Sequence, residues 1–101
     1  MLTEKLVRDR IPDMIRKEGG NPRVRVVSGS ELDKLIRLKV VEEALELLNS
    51  GEDEEIADIL EIIETLMVHR GIDRAIIEKI RLKKHDERGG FEKGYVLDMQ
   101  E

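Results

Sequence analysis

Gly51 interrupts a helical pattern that otherwise runs, free of proline, from Ser30 to Gly71. On its N-terminal side Ser30 is a good N-cap for a long helix from about Glu31 to Asn49, which Gly51 terminates. On its C-terminal side Asp53 can cap a second helix that runs to about Arg70, with Gly71 as its stop. A connection of about four residues, Ser50 to Asp53, forces the two helices to lie adjacent and antiparallel. Any fold this chain adopts has to accommodate that hairpin.

The remaining segments are shorter. Ile11-Pro12 followed by Asp13-Met14-Ile15-Arg16 reads as a short helix with proline in its first turn, ended by Gly19-Gly20. Arg23 to Val27 alternates charged and apolar side chains and reads as one short strand or an extended segment, with Tyr95-Val96-Leu97 as a candidate second strand. Ile72-Asp73 opens a fourth helix whose last turn carries Lys83, Lys84 and His85. Of 101 residues only Phe91 and Tyr95 are aromatic, so the interior has to be built from Leu, Ile and Val, which favours helices over an all-β fold. A chain of this length supports one domain, 1–101. With no cysteine, disulfide scaffolds, thiolate zinc sites and cysteine nucleophiles are excluded, and a reducing cytoplasm is the expected setting. No apolar run approaches the roughly 18 residues of a membrane span, so no membrane partner is expected.

Charge is unevenly placed. From Glu42 to Glu64 there are ten acidic residues and no Lys or Arg, while the other positions hold 18 basic against 13 acidic side chains. The acidic total argues against a nucleic-acid polymer as partner. A basic frame around an acidic centre suits a site that holds cations and, through them, something anionic.

The helical wheel shows where these acids point. With Leu32 at zero and about 100° per residue, Ile36, Lys39, Glu43, Glu46 and Leu47 fall within about 60° of it on one stripe. Val41, Ala44, Leu45 and Leu48 form a second apolar face on the far side, so this helix is expected to be covered twice, by its own chain or by another subunit. On the following helix Glu55 and Asp58 border Ile59, Ile62 and Leu66. The turn sets Glu46 near one helix end and Glu55 near the next start, so the pairs Glu43/Glu46 and Glu55/Asp58 can face each other.

Four carboxylates at about 6 Å and an effective dielectric near 20 repel by roughly 3 kcal/mol per pair, a total comparable with the whole stability of a small domain. They must take up protons, find basic partners or bind metal, and Lys39 is the one base on that face. Oxygen ligands without Cys or paired His suit Mg²⁺ or Mn²⁺. The alternative is a solvated acidic network of the kind found in heat-stable proteins.

Glu42-Glu43-Ala44-Leu45-Glu46 followed by Glu55-Ile56-Ala57-Asp58 resembles the EExxE and ExxD motifs of the all-α nucleoside triphosphate pyrophosphohydrolases, the superfamily that includes MazG, dimeric dUTPases and phosphoribosyl-ATP pyrophosphohydrolases. Lys5-Leu6-Val7-Arg8-Asp9-Arg10-Ile11-Pro12 and Arg88-Gly89-Gly90-Phe91-Glu92-Lys93-Gly94 are similar to segments of a small stand-alone MazG-like subgroup. The resemblance implies a mainly α fold, an antiparallel four-helix bundle with room for the short β-strand pair, working as a dimer or tetramer. It implies Mg²⁺ held by Glu43, Glu46, Glu55 and Asp58, with Glu42 outside the ligand set or acting as base for the attacking water. It implies hydrolysis of a nucleoside triphosphate between its α and β phosphates, with Lys5, Arg8, Arg10, Lys84 and Arg88 contacting the substrate. Phe91 is expected either to stack on a base or to plug the core. Two other functions fit the same residues. One is a non-catalytic helical oligomer that binds metal or nucleotide as a sensor or adaptor. The other is a phosphoribosyl-ATP pyrophosphohydrolase, although Ile59-Leu60 follows Asp58 where such chains usually carry Tyr-His.

Overall fold

The computed structural model describes residues 4–100, in which four helices form: α1 (Ile11–Lys17), α2 (Gly29–Ser50), α3 (Asp53–Arg70) and α4 (Arg74–Arg88). The described chain divides into two compact units, Met1–Gly71 and Ile72–Glu101.

In the first unit α2 and α3 are the antiparallel hairpin expected from the sequence, 22 and 18 residues long. Both stop where glycine allows them to. Gly51 and Gly71 adopt left-handed backbone, with φ of 66° and 64°, which a residue bearing a Cβ adopts only with strain. The starts differ from expectation. Ser28 rather than Ser30 precedes α2, Glu52 rather than Asp53 precedes α3, and neither side chain makes a capping hydrogen bond. Three consecutive small residues, Ser28-Gly29-Ser30, leave local propensity little to choose between.

The core lies along the α2–α3 seam, where Ile36 is fully buried and Ile62 nearly so. Leu32, Leu47, Ile59 and Leu66 flank them half-buried, as the wheel requires. The far side of α2 is not covered: Val41, Leu45 and Leu48 are 56%, 54% and 78% exposed.

One end of the seam is fastened by charge. Arg70, in the last turn of α3, donates from Nε to Asp33 Oδ2 at 2.7 Å and from its terminal nitrogen to Oδ1 at 3.0 Å. Arg37, one turn along α2, donates to the same Oδ1 at 2.9 Å. The Arg70 hydrogen bonds, joined by Arg37, hold the Asp33 carboxyl down at about 2 from an ordinary 3.8. A carboxylate depressed in the folded state stabilises fully above its unfolded value and loses that contribution as pH falls through the folded one. Asp33→Asn is therefore expected to lower the urea midpoint at neutral pH, and the gap from the native protein is expected to close between about pH 4 and about pH 2. A gap independent of pH would mean that the network is not ionic.

The paired strands do not form. Among the described residues there is no β-strand, and residues 23–27 and 95–97 are irregular. A strand needs a face to bury, and Val24 and Val26 are 51% and 94% exposed while Arg25 is engaged by Glu4 and Glu31. In the second unit α4 is capped as expected, Asp73 accepting from the amide of Ala75. Phe91 is 99% exposed there and so is not a core plug.

Candidate metal centre

The hairpin brings together the four carboxylates that the wheel sets on facing stripes. Glu43 and Glu46 come from α2 and Glu55 and Asp58 from the first turns of α3, and one oxygen of each lies within 4.8 Å of the other three. The tight turn at Gly51-Glu52 dictates this, because it fixes the register of α3 against α2. Two oxygens bound to one Mg²⁺ at about 2.1 Å are at most about 4.2 Å apart, and around Ca²⁺ about 5 Å. Four oxygens no more than 4.8 Å apart lie at most about 2.9 Å from a common centre, so side-chain adjustments of under about 1 Å bring all four within bonding distance of one divalent cation.

Unsatisfied oxygens favour such an ion. Glu43 is only 7% exposed. Lys39 Nζ lies 3.3 Å from its Oε1, while Oε2 is buried with no hydrogen-bond partner. Glu55 repeats the pattern: Oε1 accepts from Ser50 Oγ at 3.4 Å, and Oε2 is buried and unpartnered. Leaving a buried acceptor unpaired costs about 1–3 kcal/mol, more when it is charged. Burial pushes the Glu43 carboxyl above its ordinary value, and although Lys39 opposes this, the neighbouring Glu46 carboxyl adds to it. The cluster thus holds its negative charge at a cost that a divalent cation would remove.

Basic side chains answer part of that charge from the rim. Arg8 donates to Asp58 Oδ1 at 2.7 Å across fifty residues of sequence. Lys39 bridges Glu43 and Glu42, 3.2 Å from Oε2 of the latter, and Lys5 donates to the other Glu42 oxygen at 3.3 Å. Partial burial raises the Glu42 carboxyl, but the hydrogen bonds from Lys39 and Lys5 outweigh it and the net shift is downward. Glu42 therefore stands beside the cluster, ionised, rather than within it.

Next to the cluster lies a cavity of ≈ 510 Å³. Glu43 and Asp58 contribute its acidic wall, Arg8, Arg10 and Lys39 its basic one, and Leu32 and Ile62 part of an aliphatic floor. Of the expected substrate contacts, then, Arg8 and Arg10 line this cavity and Lys5 reaches its neighbour Glu42. Lys84 and Arg88 stand exposed on α4, in the unit Ile72–Glu101. Ser50 was not expected at the site. Its sequence signal is local, since a hydroxyl ending α2 sits five residues before the Glu55 it contacts.

The first unit thus presents a set of hard oxygen donors able to hold a divalent cation, with guanidinium and ammonium groups beside it suited to an anion that the cation also binds. Among the described residues, no helix is long and apolar enough to cross a membrane. No family model, curated protein or solved structure matches this chain.

Proposed function

We propose that this protein is a Mg²⁺-dependent nucleoside triphosphate pyrophosphohydrolase, with Mn²⁺ as a competent alternative, acting in the cytoplasm on surplus or non-canonical nucleotides. The observation that carries the reading is the convergence of four carboxylates with two buried, unpartnered oxygens beside a cavity rimmed by Arg8, Arg10 and Lys39. The MazG-like EExxE and ExxD motifs, with the flanking basic segments, supply the reaction class.

Glu43, Glu46, Glu55 and Asp58 hold the ion. When bound, Mg²⁺ neutralises charge on the phosphate oxygens and makes an adjacent water more acidic. Arg8 and Arg10 bind the polyphosphate and set the α phosphorus toward the attacking water, and Lys5, beside Glu42, joins them. Glu42 receives the proton of that water as its oxygen bonds to the α phosphorus. The bond from that phosphorus to the bridging oxygen breaks, and pyrophosphate leaves with its charge balanced by the basic side chains.

The chain assembles with copies of itself, as a dimer or a tetramer. The exposed apolar far side of α2, at Val41, Leu45 and Leu48, supports this, since such a patch in water costs about 25 cal/mol for each Å² left uncovered.

The test is a panel of canonical and modified nucleoside triphosphates incubated with the protein and Mg²⁺. Pyrophosphate and the monophosphate are expected in equal amounts, and chelation is expected to stop the reaction. If nucleotide and cation raise the melting temperature but no pyrophosphate appears from any substrate, the chain is a binding module and the enzyme reading is wrong.

A further inference from the structure

The two cations that pair with the convergent carboxylates, Lys39 and Arg8, are not held alike. Lys39 is 17% exposed at its side chain and bridges two glutamates, so it is built into the hairpin. Arg8 comes from the irregular segment ahead of α1, its side chain is 56% exposed, and among the described residues its ion pair is to Asp58, one of the four convergent carboxylates. An exposed ion pair of this kind is weak and readily exchanged. A divalent ion entering beside Asp58 brings two positive charges toward the guanidinium, whose fork also matches a phosphate better than a carboxylate edge shared with a metal. Arg8 already lines the cavity in which such a phosphate would lie.

We propose that Arg8 is an exchanging ligand, which holds Asp58 while no divalent cation is bound and transfers to a polyphosphate oxygen once the cation has taken that carboxylate. This rests on the reading that the carboxylates bind a divalent cation. Arg8 then acts against the cation before substrate arrives and with it afterwards. The cation alone binds less tightly than four carboxylates would otherwise allow, and polyphosphate releases the restraint.

The test titrates Mn²⁺ into the native protein, Arg8→Gln and Arg8→Lys by electron paramagnetic resonance, then titrates inorganic triphosphate in the presence of Mg²⁺ by calorimetry. Removing the guanidinium is expected to tighten Mn²⁺ binding about 1.5- to fivefold, the scale of a solvent-exposed charge interaction. It is also expected to weaken triphosphate binding about tenfold, as loss of a charge-assisted phosphate contact does. Arg8→Lys is expected to restore the Mn²⁺ affinity and only part of the triphosphate affinity, because it keeps the charge but not the fork. Unchanged or weaker Mn²⁺ binding by Arg8→Gln overturns the exchange while leaving the metal centre standing. Unchanged triphosphate binding overturns the transfer step. A native protein that takes up no Mn²⁺ removes the metal reading and this proposal together.

Discussion

Asp58→Ala is expected to silence pyrophosphate release, with a loss of about 10³-fold or more in kcat/KM on the best nucleotide of the panel. The size follows from what the side chain does twice over. It is one of the four carboxylates that converge among the described residues, and it anchors the Arg8 guanidinium at 2.7 Å. If the carboxylates hold the proposed cation, its substitution removes a ligand and leaves a positive charge next to the vacated position, and both effects work against the cation. The fold should survive, since the Asp58 side chain is 36% exposed and truncating it relieves repulsion among its neighbours. Unfolding of the metal-free variant is accordingly expected within about 0.5 kcal/mol of the native protein, or on the stable side of it. Far-UV circular dichroism and a urea titration check the fold, and a coupled pyrophosphate assay checks the chemistry. A variant that keeps its turnover shows that Asp58 is an ordinary rim carboxylate.

Ile36→Ala is expected to have the largest effect on stability. Ile36 is fully buried, and among the described residues only Ile62 joins it as a buried aliphatic side chain. With so small a seam between α2 and α3, deleting three carbons there removes transfer energy and leaves a cavity that two packed helices cannot readily close. The cost is about 2–5 kcal/mol, against about 1 kcal/mol for Ile36→Val. For a domain of this size each kcal/mol lowers Tm by roughly 4–8 °C, so the alanine variant is expected to melt at least about 8 °C lower. The ratio between the two substitutions is the informative quantity. Equal small effects would show that the seam opens to water, whereas a steep difference shows close packing at this position. An equivalent truncation at Leu48, 78% exposed, is expected to leave the isolated hairpin unchanged and to lower stability only where another copy covers it.

How much of this was legible beforehand depends on how local the cause is. The helix stops at Gly51 and Gly71 could be read because a left-handed residue is a property of one position. The convergence of Glu43, Glu46, Glu55 and Asp58 could be read because helical periodicity and a short turn fix four side chains without reference to anything else. Lys39 was legible for the same reason, being one helical turn from Glu43. The partners Lys5 and Arg8 were not placed by geometry, since their contacts to Glu42 and Asp58 span 37 and 50 residues through a segment with no periodicity. Alternation at residues 23–27 suggested a strand because it resembles a half-buried one. Alternation says nothing about whether a partner edge exists, and no strand forms among the described residues, where Val26 is left 94% exposed. Ser28 and Ser30 flank Gly29 symmetrically, and only the surrounding chain could decide which would precede the helix.

The turn at Gly51-Glu52 also bears on how the protein reaches its folded state. Glu46 and Glu55 are nine positions apart, and Glu43 and Asp58 fifteen, so the acidic cluster assembles from close neighbours and takes shape as soon as the hairpin closes. Closing a short loop is among the fastest events available to a chain. Here that same early event gathers like charges, so the quickest step carries a penalty that later packing at Ile36 has to offset. A divalent ion present during refolding is therefore expected to act at the moment of closure and to hasten structure formation, not only to delay its loss.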